Sequence, residues 1–144
     1  MSSVSINFDT TKFKEQLTGT VDAIQRATRP AAQAGVQLIY DRARINAPVS
    51  DRPHYFHIEG RKYGPFQPGN LRDSIYQVYA RSKSFKDVAV YEVSWNKDQA
   101  PYGFAYEYGR SDRAAKSFIG KSVAETRKAV RDAIKYRYKA ELNL

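Results

Sequence analysis

The sequence predicts an α+β fold: a small antiparallel β-sheet with an N-terminal helical region and a long C-terminal helix packed on it. Two observations carry this. Apolar residues recur at helical spacing near the start of the chain and again from about residue 117. Between them, residues 71–80 and 88–95 are rich in aromatic and β-branched side chains and are joined by a polar stretch at 81–87 that suits a hairpin.

Taken in order, residues 9–29 read as an amphipathic helix. Asp9 serves as its N-cap, and Phe13, Leu17, Val21 and Ile24 form its apolar stripe. Pro30 suits the first turn of a second helix that runs to about Asn46, with Ala31, Ala34, Leu38 and Ile45 on one face. Pro48 stops that helix, because the residue before a proline is pushed to extended geometry. Residues 49–69 hold prolines, glycines and both histidines without a period. They read as a long inserted loop with room for a short hairpin at Glu59-Gly60, and long loops are usually functional.

The strand at 71–80 comes next. The strand at 88–95 places Ala89, Tyr91, Val93 and Trp95 on one face. Residues 100–109, APYGFAYEYG, form an aromatic segment whose type the pattern leaves open. The last helix starts near Ser117, with Ile119, Val123, Val130 and Ile134 on its apolar side. Lys121, Glu125, Lys128, Asp132, Lys135 and Lys139 make a mixed-sign solvated face with ion-pair support.

The chain has 144 residues, enough for one ordinary domain spanning 1–144 that folds without a staple. It has no cysteine, which excludes disulfides, thiolate metal sites and a cysteine nucleophile. No apolar run approaches a membrane span, and the first residues lack the basic and apolar regions of a signal peptide. The net charge of +9 favours acidic partners. Residues 121–144 hold seven of the 24 Lys and Arg against three of the 15 acids, so the excess is concentrated there. The eleven tyrosines suit half-buried faces and interfaces.

Little in the sequence suggests chemistry. His54 and His57 are the only possible metal pair. They lie in a loop with few carboxylates nearby, so loop histidines making hydrogen bonds are the stronger reading, and no cofactor is expected. No nucleophile elbow, zinc helix, phosphate loop or dinucleotide fingerprint is present, and the expectation is a protein that is not an enzyme. Glu107 sits inside an aromatic run and is either solvated on an outer face or held by basic partners across an interface. Sequence-specific DNA binding by the last helix is disfavoured by its interspersed acids.

Three blocks, in order, carry a resemblance. The first is Ala43-Arg44-Ile45-Asn46-Ala47-Pro48-Val49, and the second is Pro68-Gly69-Asn70-Leu71-Arg72-Asp73-Ser74-Ile75. The third is Ala100-Pro101-Tyr102-Gly103-Phe104-Ala105-Tyr106-Glu107-Tyr108-Gly109, followed by Phe118-Ile119 opening the last helix. Over residues 30–142 this resembles the tail-completion and head–tail joining proteins of long-tailed bacteriophages, the HK97 gp10-like family. In that pattern the first two blocks run almost together, whereas here about twenty residues separate them. Pro68 stands where the pattern has threonine, and Ser117 where it has proline.

The resemblance implies a structural virion protein without catalytic residues. About six copies would form a ring at the neck or head-proximal tail end, through which DNA passes. Its partners would be itself, neighbouring connector and tail-tube proteins, and DNA in nonspecific contact, with no membrane. It would reside in the virion and, during assembly, in the host cytoplasm. The motif residues with structural roles are Pro48, Gly69, Leu71, Ser74, Ile75, Pro101, Gly109 and Phe118. Candidates for assembly contacts are Tyr55, His57, Tyr63, Tyr102, Tyr106, Glu107 and Tyr108. The alternative reading is a nonspecific nucleic-acid-binding module.

Overall fold

A computed structural model describes residues 11–143 together with residue 5, apart from the side chains at 12–14 and 17. The expected Asp9 cap and the Phe13–Leu17 part of the first stripe lie outside the described residues. The order is α1 (Thr11–Asn46), β1 (His54–Ile58), β2 (Arg61–Phe66), α2 (Asn70–Ser74), β3 (Ile75–Tyr79), β4 (Tyr91–Trp95), α3 (Gly103–Tyr108) and α4 (Ile119–Glu141). The fold is α+β, with two long helices and two separate two-stranded antiparallel sheets, β1–β2 and β3–β4.

The first correction concerns Pro30, which lies inside one continuous helix rather than starting a second. An interior proline removes one backbone donor. Here the helix is held from outside by α4. Ala27, Ala31 and Gly35, four residues apart, form a fully buried seam. A Cβ at Gly35 would lie 2.8 Å from Ile134 Cγ1 and 3.1 Å from Val130 Cγ1, so the two helices approach as closely as a bare backbone allows. Higher up, Tyr138 Oη donates to Thr28 Oγ1 at 2.6 Å. The expected face is only partly right: Ala31 is buried, Ala34 and Leu38 are half-buried, and Ile45 is 71% exposed.

The second correction concerns residues 49–69. The β-hairpin expected at Glu59-Gly60 is present and accounts for most of the segment. Ile58 pairs with Arg61, and Glu59 and Gly60 both adopt positive φ, 50° and 77°. Pro65 is tolerated in β2 because that strand pairs on one side only. The hairpin is not a free loop: Phe56 is buried in the core, and Ile58 and Phe66 pack against it.

The third correction concerns residues 71–80. The chain makes one helical turn, α2, before β3 begins at Ile75. Gly69, at φ 83°, starts that turn, and Asp73 N donates to Gly69 O at 2.9 Å. β3 then pairs with β4 in register, from Ile75 opposite Trp95 to Tyr79 opposite Tyr91. The β3–β4 sheet docks on α1 through an amide relay. Gln77 Nε2 donates to Gln37 Oε1 at 2.7 Å, and Gln37 Nε2 donates to Asp41 Oδ1 at 2.9 Å. The open aromatic segment resolves as a short helix, α3.

Candidate functional site

The three sequence blocks converge. Ala43 and Ala47 end α1, Leu71 and Ile75 bracket α2, Ala100, Tyr102 and Ala105 lead into α3, and Phe118 precedes α4. All are buried in one cluster with Phe56 and Trp95. Tyr102 is the hub. Its ring meets His54, Phe56, Phe66 and Tyr106 at centroid distances of 4.8, 5.9, 4.8 and 6.0 Å. Its hydroxyl accepts from Asn70 Nδ2 at 3.1 Å, and the same amide donates to Gln99 O at 2.9 Å. Asn70 thereby ties the second block to the third.

The turn into the third block is built by Asn96. Its Oδ1 accepts the N–H groups of Asp98 and Gln99 at 2.9 and 3.1 Å, and its own N–H donates to Ser74 O. Gly103 follows where only glycine fits, since a Cβ would stand 2.3 Å from Trp95 Nε1. Ser74 is buried and donates its hydroxyl to Leu71 O at 2.7 Å, closing α2. Pro48 and Pro101 are half-buried at the rims of this cluster.

Glu107 has a role neither sequence alternative described. Its carboxylate accepts from the backbone N–H of Phe118, Ile119 and Gly120 and from the Ser117 hydroxyl, each at 2.9 Å. It caps α4 from a different helix, placing negative charge at the positive end of the helix dipole. Partial burial pushes the Glu107 carboxyl up. The donors on Ile119, Gly120, Phe118 and Ser117 outweigh that and hold it below its ordinary value. Lys116 N donates to Tyr106 O at 2.7 Å, a second bond across the same junction. Gly109, at φ 77°, turns the chain away, where a Cβ would meet Ala115 N at 2.9 Å.

The expected assembly residues therefore divide. Tyr102 is 2% exposed and belongs to the core, and Glu107 is spent on the cap. Tyr106 is half-buried with Arg113 over its ring at 5.0 Å. Tyr55, Tyr63 and Tyr108 are exposed at 49, 37 and 76%, and His57 is exposed two residues from Tyr55 on β1. Tyr55, His57, Arg110 and Arg113 line a shallow cleft between the hairpin and the 110–113 turn. Arg110 lies over Phe56 and pairs with Asp112 at 3.1 Å.

His54 and His57 do not converge, because neighbours at spacing three on a strand face opposite sides. His54 is turned inward between Phe66 and Tyr102, and burial, then Arg113, lowers its pKa. Among the described residues, no group of three or more His, Cys, Asp or Glu side chains could hold a metal ion. Among the same residues no helix is long and apolar enough to cross a membrane.

Sequence reasoning missed two polar organisers, Asn70 and Asn96. Their signal was present in the turn-forming composition of Gly69-Asn70 and Asn96-Lys97-Asp98, without any indication of what they would join. Comparison with protein-family models, curated proteins and solved structures found no match for this chain.

Proposed function

We propose that the chain is a structural subunit of a long-tailed bacteriophage virion, completing the tail or joining head to tail, with no catalytic role. About six copies would close into a ring at the neck or head-proximal tail end, each subunit offering two different surfaces to its neighbours. The observation that carries this reading is the convergence of the three resembling blocks. They lie far apart in the chain, yet their buried residues form one cluster around Tyr102. Blocks that fold as a unit support a common architecture better than three short matches along a chain.

The outer surface suits assembly. Tyr55, Tyr108 and Tyr136 are exposed at 49, 76 and 77%, and exposed tyrosine is enriched where proteins meet. Tyr76 and Val78 are exposed at 43 and 44% on the outer side of β3. Neither β3 nor β4 has a second strand partner among the described residues, which leaves sheet edges available to a neighbour.

The test is a phage lacking this protein. DNA-filled heads and polymerised tail tubes that remain unjoined, or tails with irregular ends, are the expected outcome. Empty heads only, or fully infectious particles, would refute the assignment. The second reading, a nonspecific nucleic-acid-binding module, draws on cations of α4 that have no anionic partner among the described residues. Salt-sensitive DNA affinity in a protein that never assembles would favour it.

A further inference from the structure

Two of the three acids of α4 are already paired in the structure, one across to α1 and one within the helix. Glu125 pairs with Arg42 and accepts from Asn46 on α1. Glu141 pairs with Arg137 at 2.8 Å. What remains is a ridge. Arg127, Arg131, Lys135 and Lys139 succeed one another at four-residue spacing, so they stack along one line of the helix, with Lys128 beside it. All five are exposed. Among the described residues none of the five has an ion pair or side-chain hydrogen bond, and Asp132, the one acid next to them, bonds to none.

This arrangement is unfavourable for an isolated helix. Like charges at i, i+4 repel, and the ridge contains three such pairs in succession. The opposite helix face already supplies the contacts that hold α4 in the fold, through Ser122, Val130, Ile134 and Tyr138. The ridge therefore contributes nothing to packing and works against helix formation, while it presents a regular cationic row to solvent.

We propose that this ridge of α4 is a track for the phosphate backbone of duplex DNA. From Arg127 to Lys139 the ridge spans about 18 Å, with one cation every ~6 Å. A DNA strand offers one phosphate per ~3.4 Å of axis, so a helix lying along it meets about every second phosphate. Such contacts position and attract without reading sequence, because they touch no base edge. One exposed aromatic, Tyr136, stands beside the row next to Lys139, and a single ring is too little to stack a run of unpaired bases, which favours duplex over single strands. Within the ring reading this ridge faces the bore, and that placement rests on the ring proposal. The DNA contact itself does not.

The test is anisotropy of a labelled duplex of about 30 base pairs, titrated with the full chain between about 50 and 200 mM salt. The expected log–log salt slope is about −4, as for four to five phosphate contacts. The variant R127Q/R131Q/K135Q/K139Q should bind at least ~10-fold more weakly at the lower salt and lose most of the slope, with an unchanged or higher melting temperature. A control, R61Q/K62Q/R81Q/K86Q, removes equal charge elsewhere and should retain most of the affinity. An equal loss in both variants, no binding at the lower salt, or equal affinity for polyglutamate or anionic vesicles would overturn the proposal. Should the quadruple variant fail to fold, R131Q/K135Q carries the same comparison, with the slope reduced by about two. Solution mass, measured alongside, reports on the ring reading separately, since a monomer can show the full DNA effect.

Discussion

At the residue scale, Glu107 joins two helices that contact each other little otherwise. Three backbone donors and a hydroxyl converge on one carboxylate. Replacing it by alanine should cost about 2–3 kcal/mol, the worth of a lost cap made of charge-assisted bonds, read as a lower denaturation midpoint. E107Q should recover part of that loss, since an amide oxygen still accepts. The acid dependence follows from its lowered folded pKa. The stabilisation is fully present above the ordinary value of 4.5 and is lost as pH falls through the folded value. Wild-type stability should therefore fall more steeply below that pH than the stability of E107Q. The sequence marked Glu107 as unusual and could not say why, because its partners lie ten to thirteen residues on and are mostly backbone atoms, which leave no trace in side-chain pattern.

At the element scale, the helices at both ends and the β3–β4 pair were legible because their periodicities are long and regular. Three features were not. Pro30 reads as a helix start, and only the seam of Ala27, Ala31 and Gly35 against α4 explains why α1 continues through it. Leu71–Ser74 carries strand-like neighbours, and the turn forced by Gly69 overrides them. The hairpin was visible as a turn signal but not as a core element, because Phe56 is its single fully committed residue amid polar neighbours. F56A should therefore destabilise the fold by about 3–5 kcal/mol, as removal of a buried phenylalanine does. Y55S, H57S and Y63S together should leave the melting temperature nearly unchanged, since these positions are exposed. Replacing the whole of residues 51–67 by a flexible link should follow F56A rather than the surface triple variant, because the link removes Phe56 from the core. Circular dichroism melts of the variants make that comparison.

At the scale of the whole molecule, the chain divides its side chains between two tasks. The convergent blocks build one core around Tyr102, while exposed tyrosines and the α4 ridge stay at the surface. The junction between α3 and α4 shows how far this division goes. Residues 110–115 are all exposed, and they form a tight turn in which Arg110 and Arg113 bond each other's backbones. The two sides of that turn are already fastened by Glu107 and by the Tyr106–Lys116 bond. The peptide link between them is therefore redundant once the protein has folded. Trypsin, cutting after Arg110 or Arg113, should give two pieces on a denaturing gel that still migrate as one particle with undiminished helical signal. In E107A the same cut should release the C-terminal piece or speed its further digestion. A severed chain that keeps its shape behaves as a heterodimer made from a single polypeptide, and that tolerance marks residues 111–114 as a place where a tag or a foreign loop can be inserted without disturbing either half.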